Sequence, residues 1–209
     1  MDWAQQHQNW TVDQWSNVVW SDETMISIQD NCRYARIVDG HPLTKDHYVT
    51  TFKHPLTVMM WACFAARGTG RCMLVEQNLN SEVYIREIID GRIVPQFQEW
   101  FSGGGGLFQQ DNAPCHVSKR SIGHLQYQNI PLLPWPAASP DLNPIENLWP
   151  IVKRRLRTMG VKRKEELVSS FIQVWNRNAE IQGMCEKLVA SMPARIEACI
   201  AAKGGATKY

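Results

Sequence analysis

Three acidic residues stand where a carboxylate could do chemistry. Asp22 follows the apolar run Val18–Trp20, Asp111 follows LFQQ at 107–110, and Glu146 lies three residues after Asn143 in SPDLNPIENLW. The two runs read as short strands, while Asn143, Pro144 and Glu146 read as the N-cap, first and third positions of a helix. Two strand ends and a helix start can bring three carboxylates to one edge of a sheet, where α/β proteins place their sites. Carboxylates gathered that closely repel one another unless a cation neutralises them, and all-oxygen ligands suit Mg2+ or Mn2+. Two such ions about 3.5–4 Å apart activate a water or hydroxyl and stabilise the leaving oxygen in phosphoryl transfer. Each acid has an ordinary reading too. SDET can place Asp22 in a capping turn, DNAP is a good turn sequence for Asp111, and Glu146 can complete a helix cap. Spacing alone leaves both readings open.

Cations follow Glu146 on the same helical pattern. At 100° per residue, Lys153 and Arg157 fall about 20° from it and Arg154 about 80°. The apolar positions Ile145, Leu148, Trp149, Val152 and Leu156 face elsewhere. This pattern suits an acid that holds metal and cations that meet phosphates further along. A solvated basic helix face is the alternative. His116, five residues beyond Asp111, either lines the site or serves the fold. Trp135, in an extended Pro-rich loop, either stacks on a base or anchors the loop. Cys115 and His116 are adjacent, and chain neighbours make a poor nucleophile–base pair, so cysteine hydrolysis is not indicated.

Period and punctuation give the elements that would carry these residues. A short helix capped at Thr11 runs into a first strand, CRYARIV at 32–38 is a second, and TVMMWACFAARGTGRCMLVEQ folds back on itself at Gly68 and Gly70. From Ser81 to Phe101 apolar residues recur at helical spacing, with a kink at Pro95. GGGG at 103–106 reads as a flexible connector, 116–128 as a helix and IPLLPW as a buried strand. Helices follow from Pro144 and from Lys164 to about Asn178, then a weaker helical stretch. Strands first, then alternation, then helices indicate an α/β fold with a mixed sheet. Residues 1–15 divide off as a linker with a short helix, 16–178 as the main domain, and 179–209 as a helical tail packed on it.

Composition narrows the class. With 209 residues and 44% apolar content the chain can fill a core. No run approaches the roughly 18–20 apolar residues of a membrane span. MDWAQQHQNW lacks the charged-then-apolar order of a secretory signal, so a soluble, intracellular protein is expected. Six scattered cysteines without a CxxC pair argue against a zinc site or a disulfide scaffold. The net charge of +2 hides an asymmetry: residues 1–150 carry 10 Lys and Arg against 15 Asp and Glu, and residues 151–209 carry 12 against 5. A polyanionic partner fits the C-terminal side only.

Five segments together resemble the catalytic domain of Tc-mariner superfamily transposases, in the branch whose third acid is glutamate. They are WSDET (20–24), WACFAARGTG (61–70), FQQDNAPCH (108–116), PWPAASPDLNPIENLW (134–149) and ATKY (206–209), with 34 residues between Asp111 and Glu146. The resemblance runs from about Asn9 to Tyr209. It implies an RNase H-like fold, with a mixed five-stranded sheet flanked by helices. It also implies Asp22, Asp111 and Glu146 as a metal-binding catalytic triad, with two Mg2+ or Mn2+ ions as cofactors. The implied chemistry is hydrolytic cleavage at transposon ends, then attack of a 3′-hydroxyl on target DNA at a TA dinucleotide, in the nucleus. The implied partners are double-stranded DNA and a second copy in a homodimer, with no membrane and no small-molecule cofactor. Lys153, Arg154, Arg157, Trp135 and His116 are the candidate DNA contacts, while Asp141 is not a catalytic position in that family. The helix-turn-helix modules with which such transposases usually begin are not seen in these residues, so tight, sequence-specific end binding is not expected of them alone. GGGG at 103–106 and RYARIVDG at 33–40 depart from the family's usual pattern. The alternative, from a different class, is a catalytically silent remnant that binds DNA or pairs with a full-length transposase.

Overall fold

The computed structural model describes residues 1–27, 57–76 and 78–209. The strand expected at 32–38 and the loop expected after it lie outside the described residues. Helix α1 (Asp2–Gln6) leads to α2 (Val12–Trp15). Thr11 caps α2 as expected: its side chain accepts the Gln14 N–H, while the Gln14 side chain accepts the Thr11 N–H.

The chain then enters β1 (Val18–Ser27). The sequence reading ends this strand at Asp22, but antiparallel pairing with β2 (Thr57–Ala65) carries it from Trp20, opposite Phe64, to Ser27, opposite Thr57. Strand β3 (Gly68–Val75) closes a hairpin with β2. Gly68 takes φ +130°, while Gly70 lies inside β3 under Trp100 and Gln96, where a Cβ would stand 2.7 Å from the Cys63 sulfur. On its other edge β1 meets β4 (Leu107–Phe108) in parallel, giving the order β3-β2-β1-β4. Four strands pair among the described residues where five were expected. IPLLPW contributes an isolated parallel bridge, Leu132 to Phe108, rather than a strand. Pro131 and Pro134 flank that bridge and have no N–H to extend it.

Alternation along the strands assigns each side chain to one of two apolar layers. Val19, Trp61, Cys63, Met73 and Val75 face one layer. It is covered by α3 (Ser81–Val83), a π-helix (Tyr84–Ile93) and α4 (Val94–Trp100), which follow one another without a break. Tyr84, Ile88, Ile89, Ile93 and Phe97 are buried there, joined by Leu125 of α5 (Lys119–Tyr127). The helical spacing of these residues is as expected; the wider π-turn of the middle stretch is not. Gly104 and Gly105 adopt positive φ, whereas Gly106 packs so closely on Phe101 that a Cβ would stand 2.6 Å from its ring. The tetraglycine is therefore part spacer and part contact.

Val18, Trp20, Met60, Ala62 and Phe64 face the second layer. It is built from α6 (Leu148–Thr158), α7 (Lys164–Arg177), α8 (Ala179–Ala190) and α9 (Met192–Ala201), with Ala4 and Trp15 from the first helices. The helix expected from Pro144 begins as a 3-10 turn, Pro144–Asn147, and becomes α-helical only at Leu148. Pro150 falls in the first turn of α6, where an amide donor has no intrahelical acceptor to lose. Among the described residues no helix is long and apolar enough to cross a membrane.

Candidate active site

Asp22 sits inside β1 opposite Ala62, past the point where the parallel partner has turned away. β4 pairs only with Val18 and Val19, after which Gln109 N–H still donates to the Val19 carbonyl. The Gln109 side chain then replaces backbone: its Oε1 accepts the Ser21 N–H at 3.1 Å, and its carbonyl accepts the Ser21 hydroxyl at 2.9 Å. The two strands part there, and the gap holds Asp22 on one and Asp111 just beyond the other. This is the C-terminal edge of the parallel pair, where α/β sites collect.

Residues 140–147 bring in the third acid. Pro140–Leu142 and Pro144–Asn147 are 3-10 turns joined at Asn143. The buried Asn143 side chain accepts the Ile145 N–H and donates Nδ2 to the Ser21 carbonyl at 3.2 Å, which docks the turn beside Asp22. Glu146 does not return a bond to the cap as a capping box would; its own N–H donates to the Asn143 carbonyl. One open pocket is lined by Asp22, Asp111 and Glu146, with Asn112, Trp135 and the 136–140 loop around them.

The acids differ in their electrostatics. Burial pushes the Asp22 carboxyl up to about 7; the Trp149 indole N–H, donating at 3.0 Å, opposes this, while the Glu146 and Glu23 carboxylates add to it. Glu146 is likewise raised by burial, against the lowering effects of a bond with Asp22 and of Lys153. Asp111 goes the other way. Its hydrogen bond with His116 holds it below the usual carboxylate value, against burial and with help from the Ala113 N–H. Burial lowers His116, but its hydrogen bond with Asp111 and the nearby Glu23 carboxylate prevail and lift it to about 9. Nδ1 of His116 lies 2.6 Å from Asp111 Oδ1, and Nε2 lies 3.6 Å from Glu23 Oε1. The ring is 3% exposed and packs on Tyr84, with centroids 4.3 Å apart.

The other candidates divide. Trp135 lines the pocket, but its ring also packs edge-on against Trp3 and Trp20, and Asn112 Nδ2 donates to its carbonyl. Lys153 stands near enough to Glu146 to lower its pKa. Arg154 is engaged elsewhere: with Arg155 it pairs to Glu180 of α8. Arg157 lies in the last turn of α6. Three participants were missed by sequence reasoning. Glu23 could have been found from strand period, because the neighbour of Asp22 must point to the opposite face, toward His116. Trp149 and Asn143 carry no such local signal, since their partners Asp22 and Ser21 are 127 and 122 residues away.

Among the described residues no three His, Cys, Asp or Glu side chains converge closely enough to form a ready metal cage. The donor chemistry nevertheless fits a hard divalent cation. All three acids offer oxygen, and two are held protonation-prone by burial, which a bound cation would reverse.

Comparison with known proteins places the chain in a family. Residues 17–168 match the DDE superfamily endonuclease family. The chain is 31% identical over 212 residues to the Tcb1 transposase of Caenorhabditis briggsae, covering all of this chain and 76% of that protein. It is 32% identical over 210 residues to the Tc1 transposase of Caenorhabditis elegans, covering 99% of this chain and 76% of that one. Among solved structures, the Mos1 transposase paired-end complex with left transposon end superposes with a TM-score of 0.82 at 19% identity, over 98% of this chain and 60% of that one. The Mos1 mariner transposase catalytic domain gives 0.73 at 18% identity, over 98% and 90%. These neighbours share the RNase H-like fold expected from the sequence. A match across most of the chain, joined to relatives that cover nearly all of it, means that the chain belongs to the DDE superfamily endonuclease family.

Proposed function

We propose that the pocket is the active site of a transposase-type DNA endonuclease and strand transferase, with Asp22, Asp111 and Glu146 as the metal-binding catalytic acids. One observation carries this reading: three acids far apart in sequence meet in one pocket at the C-terminal edge of the parallel pair, two of them raised by burial. The cofactors are Mg2+ or Mn2+, two ions in the working site; Mos1 complexes with each metal have been crystallised. Bound there, they supply Lewis-acid activation of a water or 3′-hydroxyl and stabilise the departing oxygen.

The chain's own residues orient that chemistry. Trp149 fixes one oxygen of Asp22, and Asn143 fixes the turn that presents Glu146. His116 and the Ala113 N–H hold Asp111 ionised, ready to ligate without first losing a proton. The substrate is double-stranded DNA at transposon ends and TA targets, handled by two copies in the nucleus. The Mos1 paired-end complexes and the relatives' transposase identity support this. Lys153, close enough to Glu146 to act on its carboxyl, and Arg157 further along α6 are the cations that would meet phosphates, with Trp135 lining the pocket. The catalytic unit is residues 16–178, on which 179–209 pack.

A nicking assay on supercoiled plasmid tests this reading. The parent should nick in Mg2+ or Mn2+ and not in chelator. Asp111→Asn and Glu146→Gln should each lower the rate by about 1,000-fold or more, the scale of losing a group that acts only in the transition state. Nicking indifferent to both substitutions would remove the triad assignment.

A further inference from the structure

Arg195 is 1% exposed, and an arginine is almost never fully buried unless its donors are used. It comes from α9, outside the residues that match the endonuclease family. Its guanidinium bridges Asp141 and Asn147 of the acid-bearing turn. Nη1 donates to the Asp141 carbonyl at 2.7 Å, Nη2 donates to Asn147 Oδ1, and Nε donates to Ser191 Oγ at 3.0 Å. Asp141 and Asn147 bracket Glu146. The segment 206–209 closes over the same place. The Thr207 hydroxyl donates to Asp141 Oδ2 at 2.8 Å, its N–H donates to the same oxygen at 3.3 Å, and the Tyr209 ring lies 4.6 Å from the guanidinium carbon.

The need for such a clasp is physical. A 3-10 turn is held by poorer hydrogen bonds than an α-helix, and runs beyond three or four residues are uncommon. Residues 140–147 consist of two such turns with an extended residue between them, which is a soft mount for a metal ligand. Asn143 fixes the middle of the mount to β1. Arg195 takes hold of its two ends, the Asp141 carbonyl and the Asn147 side chain. A planar fork with fixed donors sets the distance between two acceptors in a way a flexible ammonium cannot.

We propose that Arg195, locked by Thr207 and Tyr209, is a positioning residue that sets the reach of Glu146 into the site. The proposal rests on the nuclease reading of the pocket. It also gives the ATKY segment a role, since the carboxylate of Asp141 serves as the anchor for Thr207 and not as a member of the metal set.

Two measurements on Arg195→Met, Arg195→Lys and Thr207→Val test it. The first is amide hydrogen exchange over residues 140–148, which reads the turn whether or not the protein cuts DNA. Exchange there should rise about tenfold in each variant, with α7 and the β1–β2 ladder unchanged. The second is metal-dependent nicking. Arg195→Met should lower kcat by about 100-fold, the scale of a misplaced catalytic group, with KM for DNA held. Arg195→Lys should fail to restore it, and Thr207→Val should show a smaller loss in the same parameter. Thr207→Val covers the case in which the buried arginine cannot be replaced without unfolding. Unchanged exchange over 140–148 in Thr207→Val overturns the tether. A loosened turn with full kcat overturns its role in placing Glu146. A parent that neither nicks nor binds Mn2+ sinks the nuclease reading, while the exchange result still decides whether the tether holds the turn.

Discussion

Asp111 and Glu146 enter the same pocket on unlike supports. Asp111 follows a strand paired with β1 and bridged to Leu132, and its carboxylate is already neutralised by a histidine and a backbone N–H. Glu146 rides on a 3-10 turn, and with Asp22 it forms a pair raised by burial that no cation among the described residues fully offsets. One side of the site is finished as an anion; the other side is completed only by something positive. That difference explains how a protein can hold three carboxylates at one sheet edge without unfolding. The repulsion is confined to one pair, and the third acid is insulated by His116.

The comparison is broken most readily at that insulator. Substituting His116 with Ala or Glu23 with Gln should lower metal affinity or nicking by about 10–100-fold, the usual range for partners that orient a metal ligand. Glu23→Gln is the gentler probe, since it leaves the Asp111–His116 bond in place and removes only the charge behind it. Mn2+ titration followed by nicking rates checks it. If Glu23→Gln behaves as the parent in both, His116 acts through Asp111 alone and the three-residue chain has no function.

What could be read from the sequence follows the same division. Asp22, Asp111 and Glu146 could be picked out because each stands next to a strong local signal, an apolar run or an Asn-Pro helix start. The Thr11 cap, the β2–β3 hairpin and α7 were legible for the same reason: neighbours within a few residues decide them. The passage of β1 through Asp22 was not, because the strand continues only where β2 supplies its partner. Nor was the 3-10 turn at Pro144–Asn147, which depends on Asn143 reaching Ser21 and Arg195 reaching Asn147. IPLLPW had the apolar content of a strand, yet its prolines limit it to one bridge. Arg154 had the phase of a DNA contact on a helical wheel, but α8 brings Glu180 against it. Such pairings are set by packing between elements, on which local period is silent.

The buried pair offers a smaller effect of unusual sign. In chelator, Asp22→Asn should raise the melting temperature, because an amide carries no charge to bury beside Glu146 and can still accept from Trp149. A gain of about 1 kcal/mol corresponds to roughly 2–4 °C for a chain of this size. Adding Mg2+ should then raise the melting point of the parent and leave the variant nearly unmoved, since metal and substitution relieve the same repulsion. A variant that melts lower than the parent without metal would show that Asp22 is stabilised in place, and that the two sides of the pocket are alike.

The smallest effect separates two cations next to each other on α6. Lys153 faces Glu146, whereas Arg154 spends its charge on Glu180. A cation that neutralises a phosphate contributes about one counterion to the salt dependence of binding, while one already paired within the protein contributes little. Binding of a short DNA duplex, measured as log Kd against log salt, should therefore lose about one unit of slope in Lys153→Ala and almost none in Arg154→Ala. Equal losses would mean that the Arg154–Glu180 pair opens on DNA. The basic face of α6 would then act as a whole, and the division of the pocket into a finished and an unfinished side would stop at the acids.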